Sequence, residues 1–306
     1  GGYYTVYLWA FIKYFFSFRK KTDVIIDSIN GVPFFSPLFS RKPKIGLLYH
    51  IHQNVFRENL SAPMASLACF LEGKLMPKVY KNTQMVTISP SSKKDMEKLG
   101  FGTSLPIEII NPGVEDSKFH PQKKTINPSI LYLGRLKAYK SIDTLIRAMK
   151  LVVQKNPQAT LKIAGFGESR EYLEQLVKDL KLDKFVQFLG KVSEEAKVKL
   201  LSQSWIFVQP SSMEGWGISA IEANASGTPV IASDVPGLRD SVQNPHTGFL
   251  VTKGNAPEFA KKINLLINNE KLRHKLEKGS LKWSKNFSWS KSTDQFLKII
   301  ESSYGK

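Results

Sequence analysis

The sequence has a single cysteine, Cys69, among 306 residues. That excludes an internal disulfide framework and any cysteine-rich zinc site, and it points to a reducing compartment. Cys69 stands beside Leu67, Ala68, Phe70 and Leu71, the setting of a small buried apolar residue. Internal repeats, low-complexity tracts, zinc-finger spacing and basic runs with interleaved stacking aromatics are also missing. Nucleic acid is therefore not an expected partner. Acidic residues are scarce, 26 against 44 Lys and Arg, for a formal charge of +18. The excess is not gathered into an arm, since residues 1–120 carry 15 basic and 9 acidic side chains and the remainder 29 and 17. A field of this sign attracts phosphates or anionic lipid headgroups, and a lysine-rich solvated surface accounts for it equally well.

A membrane-spanning run is not evident either. The apolar stretch Tyr3 to Phe18 is short for a span, is interrupted by Lys13 and scatters its Tyr and Trp instead of placing them at its ends. Arg19, Lys20 and Lys21 follow it instead of preceding it, against a signal peptide. We read it as a core helix of an α/β domain, with an interfacial membrane helix as the alternative. The expected location is cytoplasmic, with peripheral attachment to an anionic inner membrane face as a further expectation. Gly1 in place of Met marks the chain as a fragment or a processed product.

What is present is a βα rhythm. Val24–Ile26, Lys44–Tyr49, Gln84–Ile88 and Ile107–Ile110 read as strands, and so do Ile130–Leu133, Thr160–Ala164, Val186–Leu189, Trp205–Val208, Val230–Ala232 and Gly248–Val251. Helical patterns fall between them, over Leu60–Tyr80 with a break near Pro77, Lys93–Leu99, Ile142–Gln154 capped by Ser141, Tyr172–Leu180 and Ser193–Leu201. Pro257–Ile267 and Ser290–Ser303 read as closing helices. The polar, proline-containing stretch Asp116–Asn127 reads as a linker. The expected fold class is α/β, with two Rossmann-like lobes of parallel sheet and helices on both faces. The expected domains are 1–120, 121–285, and a C-terminal helix over 286–306 that packs back on the first lobe.

In open α/β sheets, ligands bind beyond the carboxyl ends of the strands. The strand ending at Leu133 runs into Gly134-Arg135-Leu136, with Lys140 beyond; a glycine admits a ligand, and Arg and Lys offer a fork and a point charge for phosphate. The Trp205–Val208 strand leads to Glu214-Gly215-Trp216-Gly217-Ile218, and Glu222 follows eight residues after Glu214. A glycine-loosened helix start exposes free N–H groups suited to a diphosphate. Glu222, flanked by apolar Ile218, Ala220 and Ile221, is placed to accept ribose hydroxyls, and Glu214 to hold hydroxyls of a sugar.

These residues resemble the retaining glycosyltransferases of family 4, also called group 1, which have the GT-B fold. Glu214 and Glu222 match that family's paired-glutamate signature, and the likeness extends through Ala223–Ala232 and His246–Val251. Gly134-Arg135-Leu136 with Lys140 matches the family's phosphate-binding pair, and Phe188–Val192 its base-contacting stretch. The resemblance implies that Arg135 and Lys140 neutralise a donor diphosphate and that amides near Trp216, Gly217 and Ile218 bind its oxygens. It further implies that Val192 meets the base, Glu222 the ribose and Glu214 the transferred sugar. No Asp-x-Asp occurs, in keeping with metal-independent chemistry that uses no cofactor besides the nucleotide-diphosphate sugar itself.

The family's active-site histidine falls at the end of the second strand. His50 fits best, and His52, on the same side by alternation, stays open as the alternative. The family's opening strand and glycine-rich loop are not evident, and Gly1-Gly2 is at most their remnant. The expected function is transfer of a hexose-type residue from a UDP- or GDP-sugar to a glycan or lipid-linked acceptor. The alternatives are a catalytically degenerate nucleotide-sugar-binding protein and a sugar-nucleotide epimerase on the same fold.

Overall fold

The computed structural model describes residues 5–115 and 117–304, so Gly1-Gly2 lies outside the described residues. The chain divides into one unit of Gly1–Asn111 with Thr293–Lys306, and a second of Pro112–Ser292.

The first unit holds a parallel sheet of β1 (Ile25–Ile29), β2 (Lys44–Leu48), β3 (Gln84–Thr87) and β4 (Glu108–Ile109), in that spatial order. Strand alternation sends Ile29, Leu48 and Met85 to one face, where they pack with Met76, Tyr80, Met96 and Phe101. Ile45 and Val86 face the other way, joined by Ile110 and covered by Phe296, Ile299 and Ile300. Those three belong to the Trp289–Tyr304 helix, the expected C-terminal return to the first lobe.

The N-terminal stretch forms the Val6–Lys13 helix and a π turn over Tyr14–Phe18, but no residue in either is buried. This corrects the expectation of a core helix. One narrow side touches the unit, through Tyr7 on Val32 and Phe34, Phe11 on Phe39 and Tyr14 on Ser40. Leu8, Trp9, Phe16 and Phe18 remain exposed. No helix among the described residues is long and apolar enough to cross a membrane.

The expected long helix after Leu60 is built in pieces, Ala62–Phe70, a π turn over Leu71–Leu75, and Met76–Val79. Pro77 is the physical reason: it has no N–H for the carbonyl of Gly73, and its ring crowds that carbonyl. The ladder therefore widens just before it. A short Gln53–Asn59 helix follows the histidine segment, without a sequence signal to announce it.

The second unit's sheet comprises β5 (Ser129–Leu133), β6 (Thr160–Ala164), β7 (Val186–Gly190), β8 (Ile206–Gln209), β9 (Val230–Ser233) and β10 (Gly248–Val251). All pairs are parallel, in the order β10-β9-β8-β5-β6-β7. This is the doubly wound order, and it reverses direction between β5 and β8. Both of these neighbours are buried nearly throughout, as parallel strands covered on two faces must be. The Ile142–Lys155 helix lays Leu145, Ile146, Met149 and Val152 on the sheet. Ser141 precedes it in a left-handed conformation and makes no side-chain cap, contrary to the expected role. Ser193 does cap its helix, accepting the Ala196 N–H at 3.2 Å.

The polar stretch after Glu115 is fastened to this unit. Lys124 donates to Thr228 at 2.7 Å, and the Trp205 indole donates to the Thr125 carbonyl at 2.8 Å. Glu270–Ser284 forms a further helix that the sequence did not announce.

Candidate functional site

The direction change between β5 and β8 splays their connections apart and leaves a crevice at the strands' carboxyl ends. A cavity of about 360 Å³ lies there, lined by Gly134, Arg135, Phe166, Val192, Ile218 and Glu222 among others. That volume is in the range of small-ligand sites. Four residues singled out in the sequence (Arg135, Val192, Ile218 and Glu222) thus share one wall system.

Close backbone approach shapes the crevice. A Cβ on Gly165 would stand 1.8 Å from the Gly134 carbonyl oxygen, so no side chain fits where the two loops meet. The Phe166 carbonyl accepts the Leu136 N–H at 2.9 Å, which fixes the exposed Phe166 at the rim. The Tyr132 hydroxyl donates to the Arg135 carbonyl at 2.9 Å and props that loop from below. Burial, and then the charge of Glu214, push the Tyr132 hydroxyl far above the ordinary phenol range, so it stays a donor. Arg135 is exposed, and its guanidinium donates to the Tyr139 hydroxyl at 2.9 Å.

Beyond β8 the chain passes Ser211 and Glu214 before entering the Ile218–Ala225 helix. Gly217 is its N-cap, with φ 94°, a backbone state that costs an L-residue strain. The first amides of a helix have no acceptor within it and form a positive terminus. Trp216 does not join the cavity wall. Its ring is 3% exposed and packs edge-on against Phe287 at 5.1 Å, so its side chain serves the core while its backbone shapes the turn.

The two glutamates hold different company. Three donors converge on Glu214 Oε1: Lys140 Nζ at 2.5 Å, Gln209 Nε2 at 2.7 Å and Ser211 Oγ at 2.8 Å. Lys140 and Glu214, assigned separate tasks from the sequence, are thus an ion pair with both side chains 13% exposed. Glu222 Oε1 accepts from Lys197 Nζ at 2.8 Å. Burial raises the Glu222 pKa and Lys197 only partly opposes this. Burial also works against the Lys197 charge, yet hydrogen bonds to Glu222 and Glu194 leave its pKa raised. The shifts pull in different directions for the one contact; the short distance and the second carboxylate favour the ionised pair. Lys197 lines the cavity and went unnoticed in the sequence, where nothing sets it apart from the other lysines.

His50 belongs to the first unit. It is half-buried, and its ring stacks on that of His52 with centroids 4.0 Å apart. His52 is 6% exposed and already engaged, with Nε2 3.0 Å from Asn30 Oδ1 and Nδ1 3.3 Å from Glu72 Oε1. Among the described residues no group of three or more His, Cys, Asp or Glu is arranged to hold a metal ion.

Comparison with known proteins agrees with this geometry. The family model for glycosyl transferases group 1 matches residues 114–283. An uncharacterized glycosyltransferase of Haemophilus influenzae is 31% identical over 71% of this chain and 61% of its own length. The sulfoquinovosyl transferase SQD2 of Arabidopsis thaliana is 26% identical over 90% of this chain and 56% of its own. This chain thus spans little more than half the length of these relatives. Among solved structures, sucrose-phosphate synthase from Thermosynechococcus elongatus superposes with a TM-score of 0.83 at 22% identity, covering 100% of this chain and 80% of that one. Anabaena HepE, solved in complex with UDP-glucose, gives 0.73 at 21% identity, covering 87% and 74%. With the matched region running through the whole crevice, from the strand before Arg135 to beyond Glu222, this chain belongs to the group 1 glycosyl transferase family.

Proposed function

We propose that the chain performs retaining transfer of a hexose-type sugar from a nucleoside-diphosphate donor, UDP- or GDP-linked, to a glycan or lipid-linked acceptor. The observation that carries this reading is the cavity at the strand-order reversal, where Arg135, Val192, Ile218 and Glu222 meet. Departure of a nucleoside diphosphate needs negative charge stabilised on its oxygens. In this reading Arg135, Lys140 and the amides at Gly217 and Ile218 supply that stabilisation without a metal ion. Glu222 holds the ribose, the backbone at Val192 meets the base, and Glu214 receives the sugar. The convergence of three donors on Glu214 Oε1 supports the last role, because it fixes the carboxylate and leaves Oε2 for a sugar hydroxyl.

Binding then separates Lys140 from exclusive pairing with Glu214, so that its ammonium lies between a carboxylate and a phosphate. His50, stacked on an immobilised His52, is the histidine we assign to the donor sugar. The UDP complex of HepE favours a nucleotide donor of this kind. The test is a panel of UDP- and GDP-sugars assayed for nucleotide release with and without glycan acceptors, beside calorimetric binding of the free nucleotides. Release with at least one donor, lost in Arg135→Ala and His50→Ala, is the expected result. Tight nucleotide binding with no release from any donor would leave a binding protein and overturn the transferase reading.

A further inference from the structure

Glu72 is a carboxylate with 0% exposure, carried on the π turn that Pro77 imposes. Taking such a group from water costs several kcal/mol unless its partners repay it. Among the described residues its side-chain hydrogen bond and ion pair both go to one residue. Oε1 accepts the backbone N–H of His52 at 2.7 Å and lies 3.3 Å from the same residue's Nδ1, while Oε2 has no hydrogen-bond partner among the described residues. A buried carboxylate engaged with one histidine, with an oxygen left over, carries a desolvation cost that these contacts offset only in part.

The far side of His52 is held as well, by Asn30 at 3.0 Å from Nε2 and by the Phe56 ring at 5.8 Å. Asn30 Oδ1 can only accept, so Nε2 donates to it, whereas Nδ1 has no hydrogen-bond partner among the described residues and Glu72 holds His52 through the backbone N–H. The His50 ring stacks on that of His52 at 4.0 Å, with 29° between planes. We infer that Glu72 is the positioning residue for His50: it locks the backbone of His52 and sets its carboxylate beside the ring, and His52 sets the plane on which the His50 ring rests. The inference rests on the reading of His50 as the sugar-facing histidine, and it deepens that reading. The π turn gives it a structural reason, since one extra residue in the turn re-aims the side chains that follow.

The test compares Glu72→Gln, which keeps an amide oxygen for the His52 N–H but removes the charge, with Glu72→Ala. Two measurements are made on the full chain: steady-state nucleotide release, and ¹⁵N-detected imidazole spectra with His50→Ala and His52→Gln as assignment references. For folded Glu72→Gln, kcat is expected to fall by about ten- to a hundredfold. KM for the donor should stay within about twofold, because a positioning defect acts on the chemical step. The His52 and His50 ring resonances should both move.

Unmoved resonances overturn the inference whatever the turnover, which separates its failure from failure of the transferase reading. Moved resonances with unchanged kcat also overturn it. Should Glu72→Ala not fold while Glu72→Gln folds with wild-type kcat, Glu72 is structural and the inference fails.

Discussion

Replacement of Lys197 by Met asks whether the cation beside Glu222 is part of the fold's electrostatics or a surface accident. The two side chains are 16% and 12% exposed, with Nζ 2.8 Å from Oε1. At an effective dielectric of about 20, that separation gives roughly 6 kcal/mol of gross attraction, most of it offset by desolvation. Removing one partner of a fully buried pair costs about 3–5 kcal/mol. This pair lines a solvent-reachable crevice, so about 2 kcal/mol is expected. The second contact of Lys197, to Glu194 at 2.9 Å, adds little because that carboxylate is 70% exposed.

The pH dependence is the sharper test. Burial already raises the Glu222 pKa, so between its ordinary value and the raised one the folded state holds more protons than the unfolded. Stability from this group is greatest in acid and falls as pH rises through the raised pKa. Removing the Lys197 charge raises that pKa further. The loss in Lys197→Met should therefore be about 2 kcal/mol at pH 8 and smaller at pH 5, because protonation of Glu222 towards acid removes its need for a cation. Urea unfolding at the two pH values, with m-values compared, reads this directly. Equal losses at pH 5 and pH 8 would refute the reasoning, since a packing defect has no reason to titrate.

Two further outcomes are expected. Burial depresses the Lys124 pKa to about 8, so between there and the unfolded value the folded state sheds a proton first and stability rises with pH. Lys124→Met should accordingly gain about 1–2 kcal/mol at pH 7 in urea unfolding, a gain that vanishes above pH ~10.5. The exposed Leu8, Trp9, Phe16 and Phe18 beside Arg19, Lys20 and Lys21 should bind vesicles containing phosphatidylserine at low salt. Co-sedimentation should fall severalfold on raising ionic strength, and its absence at low salt would remove the membrane partner.

Much of the fold was legible because parallel strands covered on both faces are continuous apolar runs. Ile130–Leu133, Trp205–Val208 and Val230–Ala232 are such runs. The partial burial of Glu222 could be read from Ile218, Ala220 and Ile221 around it, and Gly217 as a helix entrance from the missing Cβ. What escaped was decided by tertiary partners. The Glu270–Ser284 helix buries Arg273, Leu276, Ser280 and Ser284, a face with one apolar residue that resembles a solvated helix. Glu72 lies where a π turn breaks the 3.6-residue period, and the pattern gave no hint that an acid there points inward. The N-terminal helix misled for the opposite reason: its composition is that of a core element, but its neighbours cover only a narrow side. Lys197 is one basic residue among 44 Lys and Arg, and only the fold brings it to Glu222.

The last helix has a consequence for how the molecule is made. Phe296, Ile299 and Ile300 complete a core whose other members, Ile45, Val86 and Ile110 with Val24 and Leu47, are synthesised far earlier. The sheet of β1 to β4 must therefore leave the ribosome with one apolar face uncovered, and wait while the whole of Pro112–Ser292 is translated. The second unit has no such debt, since its core is drawn from residues within its own span. During synthesis the later-encoded unit can thus reach its native state before the earlier one. The interval in between is when the nascent chain is most exposed to aggregation and most in need of a chaperone.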